Sequence, residues 1–122
     1  MHNIYFFDSY ALAEISLGNP NYKNYIKSGV VLTKLNLFEI YYGLLRDVGE
    51  KEAKNFLERY YQCSVDFYKE DIQEAAKLKL KLKKKNVSMT DCIGYAVAKR
   101  LNIRFLTGDK EFEYLDNVEF VK

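Results

Sequence analysis

The chain has 122 residues and contains no tryptophan, one proline, one histidine and two cysteines. A single proline and six glycines leave no Pro/Gly-rich stretch to act as a linker, so one domain spanning residues 1–122 is expected, a size that buries roughly two-thirds of the unfolded surface. Cys63 and Cys92 lie 29 positions apart, with no second cysteine or histidine at ligand spacing near either. That pattern argues against a zinc site and predicts two small buried hydrophobes. The one imidazole is His2, at a terminus expected to be mobile, so mechanisms that need a positioned histidine, such as a two-histidine ribonuclease or a Ser-His-Asp hydrolase, are disfavoured. The apolar runs at residues 4–7 and 30–32 are far shorter than the roughly 20 residues that cross a bilayer. There is no basic segment followed by an apolar stretch and a small-residue cleavage site. A cytoplasmic protein with no membrane partner is expected.

What is present is a globular composition, 48% hydrophobic and 30% charged, unlike that of disordered chains. The net charge of +2 is too mild to identify a nucleic-acid binder. Its lysines are nevertheless bunched: Lys77, Lys79, Lys81, Lys83, Lys84 and Lys85 fall in one segment, interleaved with leucines. Such a run either tracks a nucleic-acid backbone or is a solvated helix face.

Residues 3–7 form an apolar, aromatic run that stops at Asp8, after which residues 10–17 take up a helical rhythm ended by Gly18, Asn19 and Pro20. Strand then helix is the reading. A short helical segment over 22–26 precedes a β-branched strand at 30–33. Residues 36–46 and 50–61 repeat apolar positions at helical spacing, as two helices or one broken helix. A short strand is expected at 63–67. Residues 69–85 are acidic at the start and basic at the end, which suits a helix macrodipole, although 78–83 alternate with the period of a strand. A helix over 90–101, a strand over 103–106 and an edge strand at 118–121 complete the chain. Strands alternating with helices imply right-handed crossovers and a parallel sheet covered on both faces, a three-layer α/β/α fold. In such sheets the site lies beyond the carboxyl ends of the strands.

Four acids belong to those corners. Asp8 follows the first strand, and Asp109 follows the strand 103–106 after a short turn. Glu39 is expected in the first turn of its helix, three residues after Asn36, and Asp91 in the first turn of its own, three residues after Ser88. Each has a bland explanation, because Asn36-x-x-Glu39 resembles a capping box, Ser88-x-x-Asp91 approximates one, and Asp8 and Asp109 are good N-caps. The combination is harder to explain that way: four carboxylates converging on one edge repel one another unless a cation sits among them.

The segments Phe6-Phe7-Asp8-Ser9-Tyr10-Ala11-Leu12, Asn36-Leu37-Phe38-Glu39-Ile40, Thr90-Asp91-Cys92-Ile93-Gly94-Tyr95-Ala96 and Phe105-Leu106-Thr107-Gly108-Asp109-Lys110-Glu111-Phe112 resemble the four acidic motifs of PIN-domain ribonucleases, most closely those of VapC-type toxins. The resemblance covers nearly the whole chain, with the motifs in family order. It implies that Asp8, Glu39, Asp91 and Asp109 bind metal. Thr107 matches a hydroxyl residue common two positions before the fourth acid. Cys92-Ile93-Gly94 departs from the family's usual small or aliphatic residues, and Gly94, which costs roughly 1 kcal/mol relative to alanine in a helix, points to close packing.

A site of carboxylate and hydroxyl oxygens selects hard cations, Mg2+ or Mn2+, over zinc. The activity that the resemblance implies is endonucleolytic hydrolysis of RNA leaving 5′-phosphate and 3′-hydroxyl ends. Asp8, Asp91 and Asp109 are assigned to the metal and Glu39 to the metal or to the attacking water. The toxin resemblance further implies a homodimer and a cognate antitoxin that occludes the site, and a small reading frame immediately upstream encoding a DNA-binding antitoxin would favour the toxin reading. Tyr41 and Tyr42 are candidates for base stacking or for packing. A haloacid-dehalogenase-like phosphatase needs a second aspartate two positions after the first, where this chain has Tyr10. Two alternatives stay open: an RNA-processing nuclease without a toxin role, and a non-catalytic PIN-like binding module whose acids are only caps.

Overall fold

The computed structural model of the chain describes residues 3–122, and His2 lies outside the described residues. Strand β1 (Ile4–Phe7) pairs in parallel with β2 (Gly29–Val31) on one side and with β3 (Arg104–Thr107) on the other, and β3 pairs in parallel with β4 (Val118–Phe120). The sheet order is β2-β1-β3-β4. Because side chains alternate along a strand, paired neighbours divide the core in two. Phe6 and Phe105 face one side, where they pack with α4 (Lys69–Lys81) and α5 (Met89–Arg100) through Ala75, Ile93 and Val97. Phe7 and Leu106 face the other, against Ala11 and Leu12 of α1 (Ser9–Ser16), Leu37 of α2 (Lys34–Asp47) and Phe56 of α3 (Glu50–Tyr60). The fold is the expected three-layer α/β/α arrangement around a parallel sheet. Among the described residues no helix is long and apolar enough to cross a membrane.

Some boundaries differ from expectation for identifiable reasons. The strand expected at 63–67 is reduced to one parallel bridge between Leu32 and Ser64, made by Leu32 N–H to the Cys63 carbonyl (3.3 Å) and Val65 N–H to the Leu32 carbonyl (2.8 Å). Pairing cannot extend, because Tyr61–Cys63 is still a 3₁₀ turn trailing α3 and Thr33 already caps α2. Helices α2 and α3 are separate: the N–H groups of Val48 and Gly49 both turn back to the Leu44 carbonyl (2.8 Å each).

Helix α4 stops at Lys81 rather than Lys85. The chain beyond it turns tightly, Lys83 N–H reaching the Leu80 carbonyl (3.3 Å) and Lys85 N–H the Leu82 carbonyl (2.8 Å), as Leu82 folds into the core. The alternation at 78–83 is therefore helical. Leu78 and Leu82 share the inner face at a spacing of four, and Leu80 points into solvent. Residues 20–25 form a 3₁₀ turn (Pro20–Tyr25). Cys92 is buried and Cys63 half-buried, both as free thiols.

Candidate active site

Strands β1 and β3 are neighbours, so the chain leaves the sheet at two adjacent points. At the first, Asp8 is almost fully buried and N-caps α1, its Oδ1 accepting from the Ala11 N–H (2.8 Å). At the second, Asp109 caps the 3₁₀ turn Lys110–Phe112 by accepting from the Glu111 N–H (3.0 Å). Thr107 joins them: its hydroxyl donates to Asp8 Oδ2 and accepts the Asp109 N–H (3.0 Å). Thr107 is fully buried. Between Thr107 and Asp109 a β-carbon on residue 108 would collide with the Tyr10 ring and, at 2.5 Å, with the Val121 carbonyl oxygen, so the turn requires glycine.

Asp91 is the third residue of α5, in its first turn as expected. The cap, however, is Ser88, whose Oγ accepts the Asp91 N–H (3.0 Å). The Asp91 carboxylate, which Ser88 also hydrogen-bonds, lines the cleft. Glu39 is displaced from its expected position. The capping box at the start of α2 lies three residues earlier than the sequence suggests: Asn36 Oδ1 accepts from Thr33 N–H (3.0 Å) and Thr33 Oγ1 (2.9 Å). Asn36 is thus the inner partner of the box instead of its cap, and Glu39 falls in the second turn, exposed. Its Oε1 accepts from the Ser9 hydroxyl (2.8 Å), and Ser9 Oγ in turn accepts from Asn36 Nδ2 (3.3 Å).

All four acids line one cleft of about 450 Å³, together with Ser9, Ser88, Lys110 and Lys122. Burial pushes the Asp8 carboxyl up to about 8, with smaller upward contributions from the charges of Asp91 and Asp109 and opposing ones from the Thr107 and Ala11 hydrogen bonds. Burial is also the main cause that brings Asp91 up to about 6. Ser88 pulls it down, and Glu39 and Asp109 add repulsion. Crowding of like charges contributes as expected, but withdrawal from water outweighs it at both positions.

The donor set fits a hard divalent cation. Five carboxylates, those of Asp8, Glu39, Asp91, Asp109 and also Glu111, line the cleft with no imidazole or thiol beside them. As the side chains stand, no three His, Cys, Asp or Glu side chains among the described residues are grouped closely enough to hold an ion.

Sequence reasoning misses Ser9, though it directly follows Asp8, and it misses Lys110 and Lys122. The lysine run lies elsewhere. Lys77 and Lys81 border a separate groove beside Glu70, Asp71 and Glu74, Lys77 pairs with Glu74 (3.5 Å), and Lys79 Nζ donates to the Val87 carbonyl (2.9 Å). Tyr41 is half-buried. Tyr42 is exposed and stacked at 6.5 Å on exposed Phe38. Gly94 lies over the sheet, where a β-carbon would come within 2.7 Å of the Phe6 ring.

A parallel three-layer domain with an acidic cleft at the carboxyl edge of its central strands defines a narrow class. The chain belongs to the PIN domain family, which it matches over residues 5–118. Its fold is shared with solved structures of low sequence identity. One is the Mycobacterium tuberculosis toxin VapC20, described as cleaving the sarcin-ricin loop (17% identity, TM-score 0.75, covering 96% of this chain and 98% of that one). Another is a toxin-antitoxin complex from Klebsiella pneumoniae (16%, 0.74, 94% and 95%). A third is DNA-bound VapBC from Salmonella typhimurium (15%, 0.72, 97% and 96%). No curated protein matches the sequence.

Proposed function

We propose that this chain is a single-domain endoribonuclease, dependent on Mg2+ or Mn2+, that hydrolyses RNA phosphodiester bonds and acts in the cytoplasm as the toxin of a toxin-antitoxin pair. The observation that carries the reading is that four acids far apart in sequence, Asp8, Glu39, Asp91 and Asp109, line one cleft. Asp8, Asp91 and Asp109 would hold the cation, and Glu39 would hold it or orient the attacking water. A divalent cation there supplies Lewis acidity toward the phosphodiester and lowers the pKa of water. Thr107 fastens Asp8 to the backbone of Asp109, so two ligands keep their spacing as charge builds up. Lys110 and Lys122, on the rim of the same cleft, offer the cationic partners that an RNA backbone needs.

The toxin role is supported by the shared fold with VapC20 and with the toxin-antitoxin complexes. Homodimer and antitoxin contacts belong to this proposal. An apolar groove of about 340 Å³, lined by Leu35, Phe67, Ile72, Met89 and Ile93, with Ile72 and Met89 half or more exposed, is the kind of surface such partners cover.

The test is cleavage of a labelled RNA by the purified chain in Mg2+, Mn2+ and chelator, beside Asp8→Asn and Asp91→Asn prepared identically. Asparagine keeps the Asp8 cap but is a poorer ligand for a hard cation. Cleavage is expected only with metal and only by the parent, and cleavage in excess chelator would refute the reading. One observation favours a second reading, a non-catalytic binding module: Asp8 and Asp109 do cap helical turns. That module predicts no stabilisation by Mg2+ in a thermal titration.

A further inference from the structure

The polar contacts behind Glu39 run in one direction. A backbone N–H only donates, so the end of the Asn36 amide that faces Thr33 N–H (3.0 Å) is its oxygen, which also receives the Thr33 hydroxyl (2.9 Å). The amide nitrogen is thereby turned toward Ser9. It too only donates, so Ser9 Oγ accepts from it (3.3 Å) and directs its own proton to Glu39 Oε1 (2.8 Å). The chain of bonds starts in the fully buried pair Thr33 and Asn36 and ends on an exposed carboxylate at the cleft. It crosses from α2 to α1 and back, over sequence separations of 27 and 30 residues. Capping of α2 needs only the Thr33–Asn36 half. The outer half, through Ser9, restrains a long side chain that would otherwise sample many rotamers in water.

We propose that Ser9, aimed by Asn36, is a positioning residue that holds Glu39 at the cleft in readiness for the divalent cation; this rests on the metal-dependent nuclease reading above. Oε1 is taken up by the serine proton, and Oε2 has no hydrogen-bond partner among the described residues, so it is the oxygen left for the cation or its water. Ser9 itself touches neither cation nor RNA in this scheme.

The test measures Mn2+ affinity by calorimetry for the parent, Ser9→Ala, Ser9→Thr, Glu39→Gln and the Ser9→Ala/Glu39→Gln pair. Loss of a hydrogen bond to a charged group should weaken Mn2+ binding by roughly tenfold in Ser9→Ala, and threonine, which keeps the hydroxyl, should stay within about twofold. In the Glu39→Gln background, removing the serine hydroxyl should have little further effect, because Ser9 acts on the cation only through the Glu39 carboxylate, which glutamine has already replaced with a neutral amide. In cleavage assays Ser9→Ala should need more Mn2+ yet approach the parental rate at saturation. Should Ser9→Ala fold poorly, Ser9→Cys, close in size but a weak donor, should show the same loss. Unchanged affinity in Ser9→Ala, or a full tenfold loss on top of Glu39→Gln, would overturn the relay while leaving the metal-dependent reading intact. A parent that binds no Mn2+ would overturn both.

Discussion

Asp91→Asn separates a metal ligand from a helix cap through stability alone. The cap at the start of α5 is the Ser88 hydroxyl on the Asp91 backbone N–H, and asparagine leaves that bond in place. What it removes is a carboxyl whose burial raises it from 3.8 to about 6. Each tenfold gain in proton affinity on folding corresponds to about 1.36 kcal/mol, so the charged Asp91 side chain costs the metal-free fold up to about 3 kcal/mol at neutral pH. The folded carboxyl holds its proton more tightly than the unfolded one, so this group favours folding most below pH 3.8. Its contribution falls as pH rises to about 6, and the penalty is constant above that. A chain of this length loses about 1 kcal/mol for each 4 °C of melting temperature. In chelator at pH 7, Asp91→Asn should therefore melt up to about 10 °C above the parent, and the difference should shrink toward zero near pH 4. On the proposed metal-dependent reading, added Mg2+ should narrow or reverse the gap, because a ligand of the native state at a hundred times its dissociation constant contributes about 2.7 kcal/mol and the variant lacks one of the proposed metal-binding carboxylates. Calorimetric melts of both proteins at pH 4 and pH 7, with chelator and with Mg2+, give the four differences between variant and parent. A variant that melts below the parent by the same amount in all four conditions would refute the burial argument and return Asp91 to a structural role.

Thr107→Val should destabilise the chain by about 1–3 kcal/mol, since Asp8 and the Asp109 N–H each lose a partner. Because the Thr107 bond lowers the Asp8 carboxyl, its loss should also move the pH midpoint of Mn2+ binding upward; a midpoint that stays put would show that Thr107 is only a turn residue. Gly94→Ala should lower the melting temperature by about 4 °C, or about 1 kcal/mol. A β-carbon 2.7 Å from the Phe6 ring and 3.3 Å from that of Phe105 costs about 1–3 kcal/mol of overpacking against roughly 1 kcal/mol gained in helix propensity. A rise would show that the aromatic layer yields.

The elements legible in the sequence are those whose period and punctuation agree. Residues 4–7 are apolar up to an acid, and the strand ends there. The helix expected over 90–101 is set by Ser88 at its start and by an inner face buried almost throughout. Legibility fails where a single residue's burial decides the outcome. Nothing local distinguishes Leu80, which is exposed, from Leu82, which is buried and ends α4 four residues early. Nor does local sequence reveal that β2 has already given way to the Thr33 cap when the chain at Ser64 comes alongside it. Both outcomes depend on what lies across the core, which periodicity does not report.

At the cleft the division is of the same kind. Asp8 and Asp109 are readable because each ends a strand, and a parallel sheet forces adjacent strand ends to share an edge. The spacing of three from Asn36 to Glu39 fits a capping box with Asn36 as the cap. The spacing from Thr33 to Asn36 fits equally well, and the structure uses that one. This one-turn shift changes what Glu39 is bonded to. A Glu39 folded back on its own helix start would be a closed structural pair, whereas the observed box frees the glutamate and sends the Asn36 amide to Ser9. Asn36, which local pattern marks as a cap, thereby ties the buried start of α2, through Ser9, to the acidic cleft. No motif confined to one segment could have shown this, because the two bonds, Asn36 to Ser9 and Ser9 to Glu39, exist only once α1 and α2 are packed side by side.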